Sequence, residues 1–236
     1  MDLTKLSAAK LWLISSPPDG ARKQRESPRD LRYLSTALYA LVPVPSPEVP
    51  TMGVDERWRV YINPDWYTAA TVPDIGRELA HVVWHLLADH SSRAQSLNVD
   101  SQTAEHWKTA TDVTIAATLK PDKLAPAQLP SQDDLALRSG LTSEEYYAIL
   151  SKLPPSDGSA PGTLGPSDGC GSGCDGIPRI HELPADAEAG HGLPEARDIR
   201  RRACHAERAR AGRARRRHGR DPARRRGPSL RSAAAR

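Results

Sequence analysis

His81 and His85 stand four residues apart in the apolar stretch 79–87, LAHVVWHLL. In a helix, two such side chains lie about 40° apart around the axis and one turn apart along it. Both imidazoles then project from one stripe and can bite a single metal ion, with zinc as the expected cofactor.

The spacing is that of the H-E-x-x-H motif of zinc proteases, in which a glutamate after the first histidine serves as general base. Here that position is Val82, and an isopropyl group accepts no proton from a metal-bound water. The pair supports metal binding without the standard hydrolytic chemistry, and no catalytic residue is assigned. A zinc site draws three or four ligands from the protein. Asp112, on the next helical stretch, ranks first as a further ligand. His90 ranks second. It lies five residues past His85, about 140° around a continuous helix, and faces the metal only if the helix ends before it. Glu78 shares the histidine stripe and ranks third, as ligand or outer partner; it is also a weak stand-in for the missing base.

Several elements must position these groups. Residues 3–14 suit a short helix, and 16–28 read as a loop around Pro17-Pro18-Asp19-Gly20. Ser27-Pro28 opens a helix through Leu31, Leu34, Leu38 and Leu41, which Pro43, Pro45, Pro47 and Pro50 end. Two strands follow, Thr51–Val54 and Trp58–Ile62, with Asp55-Glu56 as their turn. Helices are predicted over 72–90, 101–119 and 142–153, the last with capping chemistry at Thr142. The fold class is α+β, mainly α: a helical domain with a small β-hairpin. Strand, histidine helix and second helix follow one another in zincin-like order.

The net charge of +4 hides an asymmetry: residues 197–236 carry 16 arginines against three acids, or +13, and the remainder is −9. The chain divides into an N-terminal helix and loop (1–29), a domain (30–153), a Gly/Pro/Ser-rich linker (154–196) and a disordered arginine-rich tail (197–236). An acidic domain gives no reason to expect nucleic-acid binding by the folded part. The tail offers charge for it, but without lysines or interleaved aromatics. Its low complexity reads as out-of-frame translation of GC-rich coding sequence. Three cysteines, Cys170, Cys174 and Cys204, do not make a disulfide framework. Cys170 and Cys174 read as loop residues more readily than as a metal clip or redox pair. No stretch suits a signal peptide or a membrane span, so a cytoplasmic protein is expected.

The segments YLSTALYALVPV (33–44), TMGVDERWRVYINPDW (51–66), LAHVVWHLLADHSSR (79–93), HWKTATDVTIAA (106–117) and LTSEEYYAIL (141–150) together resemble a putative metallopeptidase domain family. In many bacterial proteins that domain lies N-terminal to a von Willebrand A-like domain. The resemblance covers about residues 30–150, and 170–183 is similar to the family's connector. It implies that His81 and His85 are metal ligands and that Asp112 matches the acidic residue of the second-helix motif. Val82 departs from the catalytic glutamate, and Thr114 and Ala116 depart from a glutamate and an asparagine. The functions to separate are a zinc metallopeptidase-like domain with impaired catalysis acting on a peptide or protein substrate, a pseudoenzyme working with a partner ATPase or A-like domain, and a nucleic-acid binder acting through the tail.

Overall fold

The computed structural model describes residues 3–15, 31–152, 169–184 and 187. The expectations for Ser27-Pro28, for most of the linker and for the arginine-rich segment with Cys204 lie outside the described residues.

The described chain is mainly helical with one small sheet. The order is α1 (Thr4–Ile14), a 3₁₀ turn (Arg32–Leu34), α2 (Ser35–Ala40), β1 (Val42–Pro45), β2 (Met52–Val54) and β3 (Arg59–Ile62). Then come α3 (Pro64–Ala69), α4 (Val72–Leu87), α5 (His90–Ser96), α6 (Ala104–Leu119), a 3₁₀ turn (Lys120–Asp122), α7 (Ser143–Leu150) and α8 (Ser172–Asp175). Among the described residues, no helix is long and apolar enough to cross a membrane.

The sheet has three strands, not two, in the order β1-β3-β2. β2 and β3 form the expected antiparallel pair, and β1 runs parallel to β3. Its sequence, Val42-Pro43-Val44-Pro45, reads as a helix stop, but as an edge strand it tolerates proline at alternate positions. Val42 N–H donates to Trp58 O and Ser46 N–H to Ile62 O, so the donors that matter flank the prolines.

α4 is the central helix. Thr71 and Asp74 form a capping box at its start, which satisfies two backbone donors. Its buried face includes Ile75, Leu79, Val82 and Leu86, which pack in the main core with β2, β3 and α2. α1 packs in the same core through Leu6, Ala9 and Leu13. Gly76 gives it room: a Cβ there would stand 2.5 Å from the Trp12 ring.

α4 ends at Leu87, three residues short of the 72–90 prediction. Asp89 takes a left-handed conformation, φ 56°, and α5 starts afresh at His90. An aspartate tolerates that region better than most residues, so a sharp corner separates His85 from His90. α3 is a further difference, since Asn63-Pro64 reads as a strand stop. Asn63 caps the helix by accepting from Asp65 and Trp66 N–H, with Pro64 in the first turn.

Residues 169–184 fall within the predicted linker, yet they pack against the body. Val54 N–H donates to Cys170 O at 2.9 Å. A buried polar hub holds the far end: Asp55 accepts from Arg59 and Tyr61, the Arg59 guanidinium donates to Leu183 O and Pro184 O, and Leu183 N–H donates to Tyr61 Oη. A Gly/Ser composition suggests slack chain. Here it permits close approach: a Cβ on Gly171 would lie 2.4 Å from Val54 O.

Candidate metal centre

Four ligand-type atoms converge where α4, α6 and the 169–184 segment meet. His81, His85, Asp112 and Cys170 are all buried, and one donor atom from each lies within 4.8 Å of the others. His81 Nε2 is 3.0 Å from His85 Nε2 and 3.2 Å from Asp112 Oδ1. His85 Nε2 is 3.2 Å from the same oxygen, and Cys170 Sγ is 3.8 Å from His81 Nε2. A tetrahedral zinc with bonds of about 2.0–2.3 Å spaces its donors roughly 3.3–3.7 Å apart. The contacts observed here bracket that range.

Each of these groups has an outer neighbour. Lys108, one turn before Asp112, donates to Asp112 Oδ2 at 2.9 Å and leaves Oδ1 for the cluster. Glu78 Oε2 lies 3.6 Å from His81 Nδ1, just beyond hydrogen-bond length, and Gln128 donates to the other Glu78 oxygen. His85 Nδ1 lies 3.1 Å from His90 Nδ1, and His90 Nε2 lies 3.5 Å from Ser143 Oγ. Ser143 Oγ is 3.1 Å from Thr114 Oγ1, whose own proton goes to Thr111 O. With His85 Nε2 turned to the cluster, its Nδ1–H donates to His90, His90 donates to Ser143, and Ser143 donates to Thr114. Every proton in the relay then points outward, as for histidines whose inner nitrogen binds a metal.

The electrostatics of the cluster are those of opposed charges in contact. Burial pushes Asp112 up, but the Lys108 charge and hydrogen bonds from His81 and His85 outweigh it and hold the carboxyl well below its usual range. A hydrogen bond with Cys174 holds the Cys170 thiol well below its ordinary value, against burial and with help from Lys108 and His81. Burial pulls His81 and His85 down, yet the negative charge of Cys170 and hydrogen bonding to Asp112 leave both raised. Burial, reinforced by His85 and Arg93, keeps His90 well below its ordinary value and therefore neutral. Anionic Asp112 and Cys170 beside protonated histidines form a set in which a metal dication replaces protons.

A cleft of about 1060 Å³ opens onto the cluster, and Glu78, His81, Lys108, Asp112 and Cys170 are among its lining residues. Apolar residues including Met52, Trp66 and Leu129 form much of its wall. Val82 is not part of this wall and lies fully buried in the main core.

The structure thus brings His81, His85 and Asp112 together, with Glu78 beside His81. His90 is not in the cluster, because the corner at Asp89 delivers its ring to the outer nitrogen of His85. The sequence ranks Cys170 and Cys174 as loop residues ahead of a metal clip, whereas both are buried. The usable signal was a thiol flanked by glycines, in a chain whose metal site still lacked a donor.

This chain belongs to the putative metallopeptidase domain family, whose profile matches residues 23–231. No match was found among curated proteins or among solved structures.

Proposed function

We propose that this domain is a zinc-binding member of its family whose metal is fully ligated by the protein and does not hydrolyse peptides. The observation that carries this reading is Cys170. With His81, His85 and Asp112 it brings the donor set to two nitrogens, one oxygen and one sulfur, a composition suited to zinc. A catalytic zinc keeps one position for water, whereas a structural zinc has four protein ligands. Zinc bound here would tie α4, α6 and the 169–184 segment together and stabilise the fold.

The absent base supports the same reading. Proton transfer by a positioned carboxylate is worth roughly 10²–10⁴-fold in rate. Val82 supplies none. Glu78 lines the cleft, but it addresses His81 Nδ1, the edge of the ring turned away from the cluster. From there it lies beside the outer edge of a ligand, not on the side that faces the other three donors.

The test is metal analysis combined with cobalt substitution. Purified protein should hold one equivalent of zinc, and the cobalt form should show a thiolate charge-transfer band that Cys170→Ala removes. Peptide-library hydrolysis should stay at background. Zinc-dependent cleavage abolished by His81→Ala would overturn the proposal, as would zinc content unchanged by His85→Ala.

A further inference from the structure

The 169–184 segment brings two thiols to the centre, and the donor set uses only one. Cys174 lies in α8, one short turn beyond Cys170, and is fully buried. Its carbonyl accepts from Trp107 Nε1 at 2.9 Å, and its sulfur lies 3.6 Å from Thr111 Oγ1. It packs with Cys170, Ala94 and Trp107 in one buried cluster. Buried cysteines surrounded by apolar atoms are usually inert. This one adjoins a second sulfur that lines an open cleft.

The geometry points to a redox-operated metal centre, in which a peroxide entering through the cleft converts Cys170 and Cys174 to a disulfide and so withdraws the sulfur donor from the metal. This inference rests on the zinc reading above. The Cys170 thiolate attacks one peroxide oxygen; the O–O bond breaks, and the products are Cys170 sulfenic acid and, after protonation, water. The Cys174 sulfur then attacks the sulfenic sulfur, the S–O bond breaks, and the hydroxide leaves as water with the Cys174 proton. Overall, two thiols give two electrons and two protons, and one peroxide becomes two waters. A disulfide sulfur is not a thiolate and does not serve as the zinc ligand. Three protein donors would remain, His81, His85 and Asp112, with one position vacated; His81 and Asp112 line the cleft.

The position of Cys174 distinguishes this from simple oxidative damage. A lone thiolate proceeds past sulfenic acid to sulfinic acid, which ordinary thiol reductants do not reverse. A resolving thiol packed in the same buried cluster intercepts the first product. Thiol reductants can reach the disulfide by the route the peroxide took.

The experiment uses full-length protein carrying Cys204→Ser, so that Cys170 and Cys174 are its two thiols, loaded with one equivalent of zinc. Hydrogen peroxide is added, zinc release is followed with a chromogenic chelator, and intact mass is measured after thiol alkylation. Zinc should leave in step with the loss of both alkylatable thiols and a fall of about 2 Da. Dithiothreitol should restore both thiols and zinc binding. With Cys174→Ser added, Cys170 should instead gain oxygen, and dithiothreitol should fail to recover most of the zinc. Zinc release while Cys174 remains alkylatable would overturn the inference, as would equal recovery with and without Cys174. If the unoxidised protein holds no zinc, the zinc reading itself has failed. The mass measurement on metal-free protein then still decides whether the two thiols join.

Discussion

His90 Nδ1 lies 3.1 Å from Nδ1 of His85, on the ring edge opposite the one His85 turns toward Asp112. One histidine thereby sets the tautomer of another. Replacing such an outer partner typically weakens metal binding about 10–100-fold. His90→Ala should show a loss of that size in competition with a calibrated chelator. His90→Gln, whose amide oxygen can accept from His85, should recover part of it. Unchanged affinity in His90→Ala would show that His85 needs no orienting partner.

Gly171 has φ 77°, and a side chain there would meet the Val54 carbonyl, a backbone atom that cannot swing aside. Gly171→Ala should therefore displace Cys170 without altering any ligand. The thiolate band of the cobalt-substituted protein should weaken or vanish while the helical circular dichroism signal persists. A band of normal intensity would mean that the segment can shift and still deliver its sulfur.

Tyr61 Oη donates to Asp55 and accepts from Leu183 N–H, and the Tyr61 ring meets His181 edge-on at 5.7 Å. Tyr61→Phe leaves a buried carboxylate oxygen and a backbone N–H short of a partner, which costs about 1–3 kcal/mol. Thermal or denaturant unfolding measures that loss. Proteolysis should also show easier cleavage within 169–184.

The same tyrosine predicts a pH effect. Burial, with the negative charge of Asp55, pushes its phenol up to about 12. A group raised in the folded state contributes stability that is complete below its unfolded value, near 10, and is lost as pH rises through its folded value. Wild-type stability should fall between about pH 10 and 12 more steeply than that of Tyr61→Phe. Parallel curves would remove Tyr61 as the cause.

Much of this architecture is legible in the sequence where pattern and cap agree. The apolar stretch 79–87 places the histidine helix, and its predicted start at Val72 coincides with that of α4. Thr142 and Glu145 mark the start of α7. β2 and β3 follow from alternation in a short segment with a turn between them. β1 is hidden because Pro43 and Pro45 weigh against any strand, and only knowledge of which edge is free makes them acceptable. His90 is hidden by a single residue, Asp89, whose left-handed turn no apolar period reveals. Cys170 is hidden most deeply. Its place depends on contacts with Val54, Arg59 and Tyr61, more than 100 positions earlier, and periodicity cannot see that distance.

That distance also orders events on the ribosome. Asp112 and the two histidines leave the exit tunnel before the fourth donor, Cys170, which follows Asp112 by 58 residues. At about 5–20 residues per second, the nascent domain spends roughly 3–12 s with three donors made and the fourth still untranslated. A metal captured in that interval would keep an open coordination position, and synthesis of the glycine-rich segment would close it. With metal bound as proposed, the last of its four donors is therefore supplied late in translation.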